Sequence, residues 1–399
     1  MAHHPSRPSS PGTLQVSSRL KTACVVMMFL GVVTFAIMLS RDQSRAWYGY
    51  LTGYFYFFIL AIGGLFFTSI QHLTKAGWSV TIRRFCEAFT AFLPYAAVGA
   101  LVLLFGAHTL YEWFDKAKVA SDALLAHKSS YLNPTFFVIR MVLFFAMWIF
   151  FAKKLVGFSV AQDSSGDENL THKTVPWSIA FLLTFAISFS LFGVDLLMSL
   201  QPRWFSTIYG VYLFAGLFQS TIATMILLIQ YCQRKGLLNG YVNESHMHDL
   251  GKFLFAFTVF WAYIAYSQYM LIWYANLPEE TAFYLPRVTG SWMLVSASLL
   301  LFKFVVPFLA LLSRRAKRNP ALLAAVCILI LVMQYVDLAW LAFPNLNSED
   351  VMFGIPEVLI WGGFAGAFVM VVTRFLSQHS LVPVRDPRLQ ESLDHHVVY

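Results

Sequence analysis

Ten long apolar stretches dominate this 399-residue chain. They cover roughly residues 22–40, 48–70, 86–107, 135–152, 177–200, 206–231, 252–274, 289–312, 320–342 and 355–377. A hydrocarbon core of about 30 Å needs about 20 apolar residues for each helical span. Because lipid offers no hydrogen-bond partner to a backbone N–H or C=O, each stretch is predicted to be a helix. The fold class predicted is therefore an all-α polytopic membrane protein with ten transmembrane helices.

The charged residues predict how the chain is oriented. Only 12% of the residues are charged, compared with about 25% in soluble proteins. Most of the 28 Lys and Arg residues lie in the terminal segments and in every second connection between spans. The positive-inside rule then predicts that both termini are cytoplasmic. This bias accounts for the net charge of +8, so we expect no nucleic-acid partner.

Two motifs occur twice, in the same order, within the apolar stretches. The segment that begins at Arg84 resembles the segment that begins at Lys252, 168 residues later. The Val-Asp-Leu sequence around Asp195 recurs around Asp337, and a proline follows each copy. Each copy starts on the same side of the membrane, so helices 2–5 and 6–9 are predicted to be parallel repeats. We expect two four-helix bundles, with helices 1 and 10 as additions.

These patterns divide the chain into six segments. They are a disordered cytoplasmic N-terminus (1–21), the first helix with its outer loop (22–45), the first bundle (46–202), the second bundle (203–344), the tenth helix (345–378) and a cytoplasmic tail (379–399). Within the first bundle, the apolar residues of 109–133 have helical spacing. That segment is predicted to be an amphipathic helix on the outer surface.

Ionisable residues inside the spans mark the candidate sites, because a charge in the bilayer needs a partner or a water-filled path. Histidine titrates near physiological pH, and a row of hydroxyls can hold water. The candidates for a proton path are His72, Arg84, Glu87, His248 and Asp249 on the inner side, Tyr263 and Tyr266 on the seventh helix, and Asp195, Asp337 and Glu357 on the outer side.

The acids Asp195 and Asp337 occupy corresponding places in the two copies. Each of them, if ionised, needs a cation, and Arg140 and Lys303 are the available ones. Arg140, Asp195 and Asp337 are also the candidates for a quinone pocket. A packing role, in which each acid bonds to the backbone or to a tyrosine, is the alternative for both acids.

The chain has no recognisable ligand set for a redox cofactor or a metal. Its four cysteines are scattered without C-x-x-C spacing. No histidine lies near the middle of a predicted span, as a haem held between helices would require. The His-x-His-Asp sequence at 246–249 lacks a clear fourth metal ligand. We therefore predict that this chain itself binds no cofactor and no metal, and has no catalytic residue of its own.

Three stretches carry a resemblance to a known family, namely 80–89, 248–252 and, most specifically, 260–281. With ten helices in two four-helix bundles, the chain resembles the NrfD/polysulfide-reductase membrane subunits. Within that family it is similar to the ActF type, the second quinone-binding subunit of bacterial alternative complex III.

The resemblance implies a subunit of a quinol:electron-acceptor (cytochrome c) oxidoreductase in the bacterial inner membrane. The implied partners are a paralogous NrfD-like subunit, an iron–sulfur subunit, haem c subunits, small membrane subunits and membrane lipids. Haem c and iron–sulfur clusters are expected on those partners, and quinol or menaquinol is the implied substrate of the complex. This chain is then a subunit without its own redox cofactor, with a proton path, a quinone pocket or a scaffold role as the alternatives.

A stand-alone proton-coupled secondary transporter is the alternative function. Parallel repeats permit it, because many transporters bind substrate between two repeats. However, the sequence has no pair of helices broken by Gly or Pro at matching positions, which is the usual sign of a substrate site at the membrane midplane.

Overall fold

The computed structural model describes residues 11–396, and no β-strand occurs within that range. Ten of the described helices are long and apolar enough to cross a membrane, which confirms the predicted fold class. They are α1 (Ser18–Arg41), α2 (Gln43–Leu73), α3 (Gly77–Leu110), α4 (Pro134–Ser165), α5 (Asn169–Leu200), α6 (Tyr209–Arg234), α7 (Glu244–Ala275), α8 (Trp292–Ala310), α9 (Pro320–Asn345) and α10 (Ile355–Gln378).

The helices pack as two rings of four and one additional pair. Neighbouring helices touch all the way round the ring α2–α5, and the same is true of the ring α6–α9. The two rings meet mainly through α2 and α6, which are the most deeply buried spans. Helix α1 lies against α10, and α10 lies against α2 and α3. This grouping matches the predicted bundles, whereas the sequence duplication behind it stays a prediction.

Helices α1 and α10 approach each other closely at glycines. A Cβ on Gly31 would lie 2.6 Å from the Gly363 Cα, and a Cβ on Gly366 would lie 2.6 Å from the Cys24 carbonyl oxygen. Helices in lipid associate through van der Waals packing, so small residues at the contact bring the backbones together. This contact holds α10 against the bundles and thereby sets where the C-terminal tail begins.

Within two of the described spans, the regular α-helix is interrupted just before a proline. In α3 the α-helix ends at Thr90 and resumes at Leu93, because Pro94 has no N–H for the Thr90 carbonyl. In α8, Leu299–Val305 form a π-helix, because Pro307 cannot donate to the Lys303 carbonyl. The two breaks lie at different places in the two bundles.

The predicted amphipathic helix over 109–133 is wrong. Helix α3 continues to Leu110, and the remaining residues form the short helices Glu112–Phe114, Lys116–Ser121 and Ala123–Lys128. Asp115 and Asp122 interrupt the segment because each carboxylate caps the helix that follows it. Trp113 is buried and donates to the Ser199 carbonyl at 3.3 Å, so the segment packs on the first bundle as a folded cover.

The predicted disorder of residues 1–21 is wrong for residues 11–21, of which 18–21 belong to α1, while residues 1–10 lie outside the described part of the chain. Leu14 is buried, and its N–H donates to the Leu376 carbonyl at 3.0 Å. The two ends of the described chain therefore meet at one face of the molecule. We call this the tail face and the opposite one the loop face; that the tail face is cytoplasmic stays a prediction.

The C-terminal tail, residues 379–396, folds back over the tail face. The Val384 N–H donates to Asp163 at 3.2 Å, and the Asn243 side chain donates to the His395 carbonyl at 2.8 Å. At Gly77 the tail comes so close that a Cβ would overlap the Glu391 side chain. The tail is thus bound to both bundles and contributes side chains to the sites described below.

Candidate functional site

Glu87 lies at the centre of a buried group of charges at the tail face. Its carboxylate accepts hydrogen bonds from Arg83 Nε at 3.1 Å and from the Ser159 hydroxyl at 2.9 Å. Arg84 lies 3.4 Å from the same carboxylate. The predicted Arg84–Glu87 pair is therefore present, but Arg83 makes the shorter contact because it lies one helical turn before Glu87.

Two further acids complete this group. Arg84 donates to Asp163 of α4 at 2.6 Å, and Arg83 donates to Asp386 of the tail at 2.8 Å. We call Arg83, Arg84, Glu87, Asp163 and Asp386 the tail-face cluster. Sequence reasoning named neither Asp163 nor Asp386, because both lie in segments that read as solvent-exposed connections.

The formal charges of the tail-face cluster do not balance. Three carboxylates face two guanidiniums, and only Asp163, at 17%, has a side chain more than a few per cent exposed. An unbalanced charge away from water costs several kcal/mol. Binding one proton neutralises the cluster, so its composition suits a site that takes up and releases a proton.

A polar cavity of about 320 Å³ lies beside the tail-face cluster. Its walls include His72, His172, Arg83 and Asp386. His72 is only 6% exposed, and its Nε2 has no hydrogen-bond partner among the described residues. Polar space of this size accommodates several water molecules. The cavity can therefore hydrate the cluster from the tail face, and the predicted His72 lies on its wall.

The predicted His248–Asp249 pair lies in the second bundle, also at the tail face. Asp249 is contacted by Lys252 Nζ at 2.6 Å and by His395 Nε2 of the tail at 2.8 Å. His248 Nδ1 lies 3.8 Å from Asp249. Within residues 11–396, no three His, Cys, Asp or Glu side chains come together as a metal-binding group. The arrangement is an ion pair to which the tail adds an imidazole.

Near the loop face, Asp195 forms a bidentate ion pair with Arg140. The guanidinium donates to both carboxylate oxygens at 2.8 Å and to the Tyr131 carbonyl at 2.9 Å. The Tyr131 ring lies 3.9 Å from the guanidinium carbon. Asp195 is fully buried, so this pair is stabilised by geometry and by a cation–π contact rather than by solvent.

In the second bundle, Asp337 likewise pairs with a buried cation. Lys303 Nζ donates to its carboxylate at 2.5 Å and to Gln334 Oε1 at 2.8 Å. Asp337 also accepts from the Tyr212 hydroxyl and, at 3.2 Å, from Trp261 Nε1. The π-helical turn of α8 carries Lys303. These donors therefore provide the hydrogen bonds that a buried carboxylate needs.

The two pairs occupy corresponding helices. Arg140 and Lys303 lie on the third helix of their bundles, and Asp195 and Asp337 lie on the fourth. The expected pairing of each acid with its available cation is thus confirmed. Tyr212 and Trp261 were not singled out from the sequence. Among the unpredicted partners in the Asp337 network, only Gln334 could have been noticed from the sequence, because it is a polar residue within an apolar span.

Towards the middle of the membrane the two bundles differ. In the first, closely packed rings fill the space, with Phe58 and Phe192 centroids 4.4 Å apart and Trp148 5.2 Å from each of them. In the second, buried Gln219 donates to Thr258 at 2.9 Å, and Gln219 Oε1 has no hydrogen-bond partner among the described residues. Both bundles therefore have polar groups below the ion pair, because Trp148 of the first bundle donates to the Ser188 hydroxyl at 3.0 Å. The second bundle differs in that one of its buried amide oxygens, Gln219 Oε1, is left without a described partner.

Three predicted path residues lie elsewhere. Tyr263 and Tyr266 are 63% and 62% exposed on the outer face of α7, so they line no internal path. Glu357 is buried, but it binds Arg45 at 2.5 Å and the Gly354 N–H at 2.7 Å, as an N-terminal cap of α10. Helical spacing shows which residues share a face, but not whether that face is inward.

Arg287 is a buried cation that sequence reasoning treated as a loop charge. It donates to the carbonyls of Trp340 at 3.1 Å and Leu341 at 2.9 Å, and its carbon lies 3.6 Å from the Phe283 ring centre. Burial lowers the pKa of Arg287 to about 9. The guanidinium binds the last turn of α9, where the helix dipole favours a cation.

A pocket of about 430 Å³ opens at the loop face beside the Arg140–Asp195 pair. Its lining includes Tyr131, Val194, Trp204 and Phe205, together with Lys128 at the rim. Lys128 Nζ donates to the Pro202 carbonyl at 2.7 Å, and partial burial lowers the pKa of this lysine. The pocket is mostly apolar, and its polar side chains include Lys128, Tyr131, His127 and the serines Ser130 and Ser199.

In comparisons with known proteins, no protein-family model and no curated protein matches this chain.

Proposed function

We propose that this chain is a membrane subunit, without its own redox cofactor, of a bacterial quinol:electron-acceptor (cytochrome c) oxidoreductase. It would be of the ActF type in the NrfD/polysulfide-reductase family and lie in the inner membrane. The observation that carries the proposal is the stretch 260–281, the most specific of the resembling segments. The arrangement of ten helices as two rings of four plus a pair supports it.

Within that complex, the proposed task of the chain is to move protons. The tail-face cluster, hydrated by its cavity, would take up a proton, because three carboxylates face two guanidiniums there. A second part of the path, nearer the loop face, would use the Lys303–Asp337 network and the Gln219–Thr258 pair as its polar groups. Tyr263, Tyr266 and Glu357 lie outside this proposed path.

Co-purification tests the membership in a complex. The full chain with an affinity tag, extracted from its own membranes in mild detergent, is expected to bring down haem c and iron–sulfur subunits in fixed ratio. Absorption spectra and mass spectrometry measure this. A preparation that contains the chain alone, stable and free of haem, would contradict membership and favour the transporter alternative.

Glu87→Gln tests the proton role. The substitution leaves two carboxylates with two guanidiniums, so the formal charges of the cluster become balanced and the fold is expected to persist. The expected result is an unchanged subunit and haem content with fewer protons translocated per electron. Glu112→Gln is the matched control, because the Glu112 side chain is 40% exposed and pairs with Arg203 at the loop face, away from the tail-face cluster. A stoichiometry equal to that of the control would exclude Glu87 from the path.

A quinol site in this chain is the second candidate, and the pocket beside Arg140 and Asp195 favours it. An apolar pocket with a few convergent polar groups is typical of small-molecule sites. The complex purified above can be extracted for quinone. Quinone in a fixed ratio that is lost on Phe205→Trp, which fills the pocket, supports this candidate; an unchanged ratio counts against it.

A further inference from the structure

One face of α7 points away from the bundle from Lys252 to the end of the helix, whereas residues 245–251 are buried. Seven of the exposed residues on this face follow one another at alternating steps of four and three, which is a heptad spacing. We call these residues the α7 stripe: Lys252, Ala256, Val259, Tyr263, Tyr266, Met270 and Trp273. A stripe of this spacing stays on one side of a helix over three heptads when the helix coils gently around a neighbour.

The stripe carries hydroxyl groups at the depth of the lipid chains. Lys252 and Tyr274 are 22 residues apart, which corresponds to about 33 Å of helix and so to the hydrocarbon thickness. Tyr263 lies midway between them. A hydroxyl moved into hydrocarbon without a hydrogen-bond partner is unfavourable by several kcal/mol on transfer scales. Tyrosines at membrane interfaces avoid this, but Tyr263 lies too deep for the interface.

Helix α5 provides a comparison within the same protein. Its exposed residues include Ile179, Leu183 and Ile187, which are 43%, 68% and 67% exposed. All three are aliphatic, as expected of a face that lipid chains cover. The α7 stripe is as exposed as this face but offers two phenol groups at mid-depth, so lipid alone does not satisfy it.

We propose that the α7 stripe binds a transmembrane helix of a second, different subunit. Such a helix supplies acceptors for the Tyr263 and Tyr266 hydroxyls at mid-membrane, where interhelical hydrogen bonds stabilise association. The heptad spacing suits side-by-side helix packing, in which each stripe residue fits between residues of the partner. That the partner differs from this chain rests on the proposed function, whereas the need for a helix rests on the stripe itself.

Site-specific photo-crosslinking in native membranes tests this inference. A photoreactive amino acid is placed in the full-length chain at Val259 or Met270 of the stripe, and at Leu183 or Ile187 of α5 as matched controls. The stripe positions are expected to give one discrete adduct with a membrane polypeptide, identified by mass spectrometry. The α5 positions are expected to give lipid adducts. The Tyr263→Phe/Tyr266→Phe variant is expected to lower the Val259 adduct by about threefold for each hydroxyl, the average effect of an interhelical hydrogen bond.

Each other outcome overturns part of the inference. Lipid adducts alone at the stripe exclude a docked helix, and an adduct of twice the chain mass identifies a second copy and excludes a different subunit. A polypeptide adduct that the two Phe substitutions leave unchanged excludes the hydroxyl role. An adduct with a polypeptide that never co-purifies with haem supports the docking face while contradicting the proposed respiratory function, so the two failures are distinguishable.

Discussion

Replacing Lys303 with methionine is expected to destabilise the folded chain by about 3–5 kcal/mol, the usual result of leaving one buried charge without its partner. Lys303 and Asp337 are both buried and lie 2.5 Å apart. Methionine keeps the length of the side chain but leaves the carboxylate with only the Tyr212 hydroxyl and Trp261 N–H. Thermal unfolding of the detergent-solubilised chain measures the loss.

The double variant Lys303→Met/Asp337→Asn separates charge from packing. Tyr212 and Trp261 donate to different oxygens of Asp337, and the single carbonyl oxygen of asparagine can replace one of these acceptors. No buried charge remains, so much of the lost stability is expected to return. Lys153→Met is the control, because Lys153 is exposed on α4, and it is expected to change stability by less than about 0.5 kcal/mol. Equal unfolding temperatures for Lys303→Met and Lys153→Met would contradict the buried pair.

Arg83→Met is expected to have the second largest effect, again by about 3–5 kcal/mol. Arg83 binds both Glu87 and Asp386, so its loss leaves three carboxylates, two of them buried, with Arg84 as the remaining guanidinium of the cluster. The excess negative charge favours proton binding in the folded state. Stability that is linked to such protons falls as the pH rises and returns as the pH falls. Unfolding midpoints measured across a pH series test both statements.

Little change in stability is expected for Asp386→Asn. This change brings the tail-face cluster to two carboxylates and two guanidiniums, so stability is expected to stay close to that of the native chain. Combined with Arg83→Met, it is expected to recover part of the loss. The control is Arg385→Met, a tail arginine that is exposed and contacts the Ser164 carbonyl. A variant Asp386→Asn as unstable as Arg83→Met would show that the charge imbalance is not what governs this cluster.

The distribution of apolar residues determined most of the fold. Spans of about 20 apolar residues can only be helices in lipid, so their number and approximate bounds follow from the sequence. The cations for Asp195 and Asp337 could also be predicted, because Arg140 and Lys303 are the two Lys or Arg residues that lie away from the ends of the apolar spans. Charged residues are rare inside apolar spans, so few cations are available to pair with a buried acid.

The polar partners around those charges could not be predicted, because long-range packing brings them together. Asp386 reaches Arg83 across 303 positions of sequence only because the tail folds back over the bundle. The segment 109–133 broke into short helices because Asp115 and Asp122 cap each turn, although its apolar spacing indicated one helix. The apolar spacing favours one long helix, whereas the two caps favour several short helices. The contact of Trp113 with the Ser199 carbonyl is made in the short-helix arrangement.

What the sequence by itself determined is therefore the class of fold, the number of spans and the cations available to Asp195 and Asp337. Only the tertiary structure decided which faces are inward. Tyr263 and Tyr266 share a helix face with regular spacing, and they point outward, whereas Tyr212 points inward to Asp337. In a membrane, lipid and protein interior are similarly apolar, so hydrophobicity does not distinguish the two sides of a span. Packing between helices makes that distinction, and it depends on contacts far apart in the chain.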